Sequence, residues 1–165
     1  MAQGIVLPGP LVTLLSELGY LWPDADEVRL MQLGQAWMEV QGKLDEVVQQ
    51  AQETAERVWN ENHDDAIDAF KASWEAPDDG LDTLRQNATG VMVVGAIILV
   101  CAIVVLMLKI WVIVQLVTLA IAIVQAIAAA VPTFGASLLT IPVVKEIIGR
   151  IINLLISRAL EVLLG

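Results

Sequence analysis

Between Val91 and Val131 the chain carries a single charge, Lys109, in a run otherwise made mostly of Val, Leu, Ile and Ala. Each of the larger aliphatic side chains gains about 1.5–3 kcal/mol on burial, so leaving the whole run in water would cost on the order of tens of kcal/mol. The run must therefore be covered by lipid, by a partner, or by helices from the rest of the chain. Val91 to Leu108 is uncharged and long enough for a membrane span. Lys109 does not exclude one, because a mid-bilayer lysine costs about 2.5–3.5 kcal/mol and a dozen aliphatic neighbours offset it. No Gly, Pro, Asn or Asp lies between Leu106 and Trp111 to turn the chain. One long helix is expected, about 60 Å at 1.5 Å per residue, twice the hydrocarbon thickness of a bilayer. Gln115, Thr118 and Gln125 fall on one stripe of that helix with Ala122 and Ala129, which suits close packing against another helix. Lipid would then touch Ile97, Ile98 and Val105 on the other face.

Charge is segregated along the chain. Residues 1–90 carry seventeen acids and five bases, net −12, whereas residues 91–165 carry two acids and four bases, net +2. An acidic head joins a nearly neutral apolar body. With 57% hydrophobic and 17% charged residues, the chain is too apolar to be disordered. No basic stripe is present to neutralise phosphates, so nucleic acid is not an expected partner. The acidity itself suits solvated helix faces. Cys101, the lone cysteine, lies in the apolar run and cannot form an internal disulfide. No basic residue precedes the first apolar segment, so a cleaved signal is not expected and any export is by a leaderless route.

Pro8, Pro10 and Gly19 bracket a short helix over Leu11 to Leu18. Asp24, with Glu27 three residues later, reads as the capping box of a longer helix. From Leu30 the apolar positions are Leu33, Trp37, Val40, Leu44, Val47, Ala51 and Val58, in steps of three and four with Thr54 off-type, so a continuous packed seam is expected. Asn60 to Asp65 is a turn, with Asp64 or Asp65 capping a second helix that carries Ile67, Phe70 and Trp74 on one face. Pro77-Asp78-Asp79-Gly80 is the internal boundary, its acids placed to cap the helix that follows. The expected fold is all-α: residues 1–76 form an acidic helical hairpin with a short N-terminal helix. Residues 77–165 form an apolar region with a long helix over about 81–131, a break at 132–142 and an amphipathic helix at 143–164, the whole an elongated helical bundle. Glu146 and Arg150 pair along the polar stripe of that last helix. Its abrupt apolar end at Val162-Leu163-Leu164-Gly165 leads us to expect a chain that continues.

Nothing in the sequence supports catalysis. His63 is the only histidine, which excludes paired-histidine metal sites, and His63-Asp64-Asp65 is better explained as a capped turn than as a cation site. No catalytic residue, metal or cofactor is expected. The aromatic residues are more informative. Trp37 and Trp74 lie on facing stripes and are expected in the core, Trp59 stands at a hairpin tip where it could fill a partner pocket, and Trp111 beside Lys109 suits a membrane interface. Candidate partner-binding residues are Trp37, Leu44, Trp59, Phe70 and Trp74; candidate membrane-contacting or helix-packing residues are Lys109, Trp111, Gln115, Thr118 and Gln125.

The pattern Trp59-Asn60-Glu61 with Ala66, Ala69 and Phe70 resembles the leaderless Trp-X-Gly superfamily of type VII secretion, with Glu61 at the place of the glycine. The chain is also similar to the WXG-like N-terminal domain of actinobacterial polymorphic toxins and of the mycobacterial outer-membrane channel protein that carries a necrotizing toxin. That likeness rests on Leu18-Gly19-Tyr20-Leu21-Trp22-Pro23-Asp24-Ala25-Asp26-Glu27 with Ala36-Trp37, on Ala69-Phe70 through Trp74, and on Ala128-Ala129-Ala130-Val131-Pro132-Thr133-Phe134-Gly135-Ala136-Ser137 with Ile141-Pro142. The resemblance implies a non-enzymatic export and interaction module ahead of a toxin. Its partners would be small helical WXG-type proteins or the secretion apparatus, with membrane lipid or a second copy as further candidates, and its location secreted or associated with the cell envelope. The apolar run alone supports a different class, an integral membrane or pore-forming helical protein.

Overall fold

The computed structural model describes residues 4–77 and 80–165 and is all-α, as expected. Its helices are α1 (Gly9–Glu17), α2 (Glu27–Glu61), α3 (Asp65–Trp74), α4 (Gly80–Ala128) and α5 (Thr140–Leu164), with a 3-10 turn at Ala136–Leu139 before α5. Two compact units are present: the described residues up to Arg29 with Val100–Gly165, and Leu30–Leu99.

In the first unit, Pro8 and Pro10 start α1, where missing N–H groups cost nothing, and Gly19 at φ +85° ends it. Leu7 and Leu15 pack with Val112, Leu116 and Leu119 of α4 and Ile148 and Ile152 of α5 in one buried cluster. The Tyr20 hydroxyl donates to the Gly149 carbonyl at 3.0 Å, and Lys145 pairs with Glu17 at 2.6 Å. Asp26, not Asp24, caps α2: its Oδ1 accepts from the N–H groups of Val28 and Arg29 at 3.0 and 3.1 Å. Glu27 is then the first helical residue, and its carboxylate is free to turn inward rather than close a capping box.

α4 ends at Ala128, short of the 131 set by pattern alone, because Pro132 supplies no N–H and constrains the residue before it. The chain reverses through Phe134 at φ 50° and Gly135 at φ 84°, and the Gly135 N–H donates to the Ala130 carbonyl at 2.8 Å. The hydroxyls of Thr133 and Ser137 donate to the carbonyls of Ala129 and Ala126, at 2.6 and 2.7 Å, and so cap the end of α4. α5 begins at Thr140, so Pro142 falls within its first turn.

In the second unit, α3 runs back along α2, and the early part of α4 packs on α2 as an antiparallel hairpin. Asp64 caps α3, accepting from the Ile67 N–H at 2.8 Å. The capping role expected for Asp78 and Asp79 lies outside the described residues. α2 and α4 come into close backbone approach at two glycines. A Cβ on Gly34 would lie 3.1 Å from the Gly95 carbonyl oxygen, and one on Gly95 would lie 3.2 Å from that of Gly34.

Candidate functional site

α3 places Phe70 and Trp74 one turn apart on the face that meets α2. Phe70 stacks at a tilt between Trp59, centroids 6.0 Å apart, and Trp74, 5.7 Å apart. The Trp74 indole N–H donates to Gln52 Oε1 at 3.1 Å, and the Lys71 ammonium sits 5.7 Å from the Trp59 ring centre. Trp59 is therefore half-buried against its neighbours rather than free at the tip. Val47, Ala51, Thr54 and Val58 of α2 complete, with Phe70 and Trp74, an open apolar groove of about 420 Å³. The arrangement offers aromatic faces and aliphatic edges to a helix and no reactive constellation; His63 lies exposed in the turn before α3.

The seam expected along α2 divides in two. Trp37, which lies against Gly95 of α4, and Leu44 are half-buried, but Leu33, Val40, Val47 and Val58 are exposed, and the buried positions of the seam region are Gly34, Val48 and Ala55. The cause is the glycine crossing. Because Gly34 and Gly95 let the backbones meet there, the contact line shifts around α2 and turns every second seam residue outward. An apolar stripe, Leu33, Val40 and Val47 at seven-residue spacing with Val58 beyond them, is left uncovered beside the aromatic groove.

The apolar helix contains a second constellation. Lys109 Nζ lies 2.8 Å from Glu27 Oε2, with side-chain exposures of only 4% and 2%. It donates also to the Ala25 carbonyl at 2.7 Å and the Ile5 carbonyl at 3.4 Å, and stands 5.6 Å from the centre of the Trp22 ring. The other Glu27 oxygen accepts from the Ile5 N–H. Burial pushes the Glu27 carboxyl up, but the hydrogen bonds from Lys109 and Ile5 and the charge of Lys109 outweigh it and hold the group below the usual glutamate range. The sequence reads Glu27 as a capping-box residue and Trp22 as part of the family likeness, and marks neither as a neighbour of Lys109. A lone lysine in an apolar run demands a buried acceptor, yet nothing in the spacing identifies one 82 residues away.

Lys109 points inward while Trp111, two residues on, is exposed on the opposite side of α4. The helix packs through Val112, Leu116, Leu119 and Ala126. Gln115 is half-buried at the edge of that stripe, and Thr118 and Gln125 are exposed. Ile97 is exposed; Ile98 and Val105 are half-buried. The outer face of α4 remains apolar and uncovered, from Val100 through Ile103, Met107, Val114, Val117 and Ile121 to Ile127, and α4 is long and apolar enough to cross a membrane by length and composition.

A protein-family model described as a WXG100 like domain matches residues 8–151. The chain matches no curated protein and no solved structure.

Proposed function

Since the chain belongs to the WXG100-like domain family, we propose that it serves as a non-enzymatic secretion and interaction module of a type VII-secreted toxin, recognising a helical partner. Domains of this family are type VII-secreted, commonly pair with helical partners and are typically without catalytic activity. One observation carries the reading: the uncovered stripe of Leu33, Val40, Val47 and Val58 beside the groove of Phe70 and Trp74. A small WXG-type helical protein, or a helix pair of the secretion apparatus, would lay apolar side chains along that stripe and against the aromatic rings. Trp37 and Leu44 would hold α2 in place from behind, and Trp59 would support Phe70. Co-expression with candidate small helical partners tests this. Val40→Asp and Val47→Asp alter exposed side chains, so the protein should fold and the complex should be lost; a complex that survives both changes would reject the surface.

A second reading rests on a separate observation, the uncovered outer face of α4. In it, that face is embedded in a bilayer, as in an integral membrane or pore-forming protein. Retention of the chain by carbonate-washed membranes without any partner supports it, and full release counts against it.

A further inference from the structure

Lys109 is the only charge between Val100 and Ala128, and its ammonium is turned from the outer face of α4 into contact with Glu27. We propose that Glu27 is the internal counter-ion that allows this face, Val100 to Ile127, to lie against the acyl chains of a lipid bilayer, an inference that rests on the bilayer reading above.

Three features favour lipid over another helix as the cover. The exposed side chains, from Trp111 through Ile103 and Val117 to Ile127, spread over roughly half the helix circumference, whereas a single partner helix covers a narrower stripe. They extend over about 40 Å of helix at 1.5 Å per residue, enough for a hydrocarbon layer of about 30 Å. The polar groups along the way are also suited to an apolar medium. The Thr118 hydroxyl is spent on the Val114 carbonyl at 2.9 Å, and Gln125 lies near the end of the face.

The remaining obstacle is Lys109. Its carbonyl acceptors, Ala25 and Ile5, satisfy hydrogen bonds but do not cancel its charge. Glu27 does both, and the pair presents no net charge to acyl chains on the far side of the helix.

Flotation with neutral phosphatidylcholine vesicles tests the role, since such vesicles offer no surface charge to attract the acidic chain. The parent should float. Glu27→Gln, which strands the ammonium, should lower the partition coefficient about 100-fold, and Glu27→Gln/Lys109→Met should restore it. If the parent stays off vesicles, or forms a dimer that does so, the bilayer reading fails and this inference with it. A floating parent matched by Glu27→Gln, or a double variant as weak as Glu27→Gln, overturns the counter-ion role alone. Should Glu27→Gln not fold, the charge swap Glu27→Lys/Lys109→Glu takes its place. A folded swap that floats like the parent supports the role, and a folded swap that stays soluble overturns it.

Discussion

Glu27 and Lys109, 82 residues apart in sequence, form a 2.8 Å ion pair that fastens the start of α2 to the middle of α4. The Ile5 backbone bonds to both side chains, so the segment before α1 is tied to the same pair. One charge in the most apolar helix thereby fixes the position of three stretches of chain.

Breaking the pair from one side should be far more costly than removing it. Lys109→Met leaves the Glu27 carboxylate buried with only the backbone N–H groups of Ile5 and of Glu27 itself as donors, and a stranded charge of this kind costs about 3–5 kcal/mol. Glu27→Leu/Lys109→Met removes both charges and should recover most of that loss. Urea unfolding of the two single variants and the double variant measures the coupling; single losses that merely add would show that the pair is not a unit.

The same pair sets a pH dependence. The Glu27 pKa is lower in the folded protein than in the unfolded chain, so between the two values the unfolded state binds more protons and stability rises with pH. The contribution is complete above the unfolded glutamate value of about 4.3 and is lost as pH falls through the folded value. Unfolding midpoints recorded from pH 6 downwards should therefore fall more steeply for the parent than for Glu27→Gln below about pH 4.3. Parallel curves would show that Glu27 does not carry the effect.

Tyr20 ties the loop after α1 to α5 by one hydrogen bond, from its hydroxyl to the Gly149 carbonyl. Tyr20→Phe keeps the ring and removes the donor, and should cost about 1 kcal/mol. Thermal unfolding of the two proteins under identical conditions reads the difference. An unchanged midpoint would mean that water replaces the hydroxyl without loss.

Helix identity was legible wherever local chemistry decides it. An apolar run without a breaker gave one continuous α4, the Asp64-Asp65 pair gave the start of α3 without saying which of the two caps it, and Pro132 gave the end of α4 only to within three residues. The cap of α2 fell on Asp26 instead of Asp24 because both aspartates offer the same carboxylate, and only the path of the loop decides which reaches the Val28 N–H. The α2 seam was half legible. Periodicity names a face, but its rotation depends on where α4 makes its close approach, and the glycine pair that sets this lies far apart in sequence. The aromatic residues of α3 shared a face by spacing alone, whereas their junction with Trp59 required the turn geometry. The partner of Lys109 was hidden for a simpler reason: the acidic head holds many carboxylates and none carries a local mark of burial.

The glycines of α2 separate packing from helix propensity. Gly34 and Gly42 both lie within the helix, where replacing glycine by alanine normally gains about 1 kcal/mol. A Cβ on Gly42 meets nothing within 4 Å, so Gly42→Ala should raise stability by that amount. A Cβ on Gly34 would fall 2.7 Å from Leu99 Cγ and 3.1 Å from the Gly95 carbonyl oxygen. Leu99 could change rotamer, but the carbonyl belongs to the α4 backbone and moves only if the helices separate. Overpacking of this kind costs about 1–3 kcal/mol, which equals or exceeds the propensity gain. Gly34→Ala should therefore be neutral to destabilising while Gly42→Ala stabilises, with Gly95→Ala behaving like Gly34→Ala because its Cβ would lie 3.1 Å from that of Trp37. Thermal midpoints of the three single variants decide the matter. Equal gains at all three positions would mean that the helices do not meet at these glycines, and the rotation of α2 that exposes Val40 and Val47 would lose its cause.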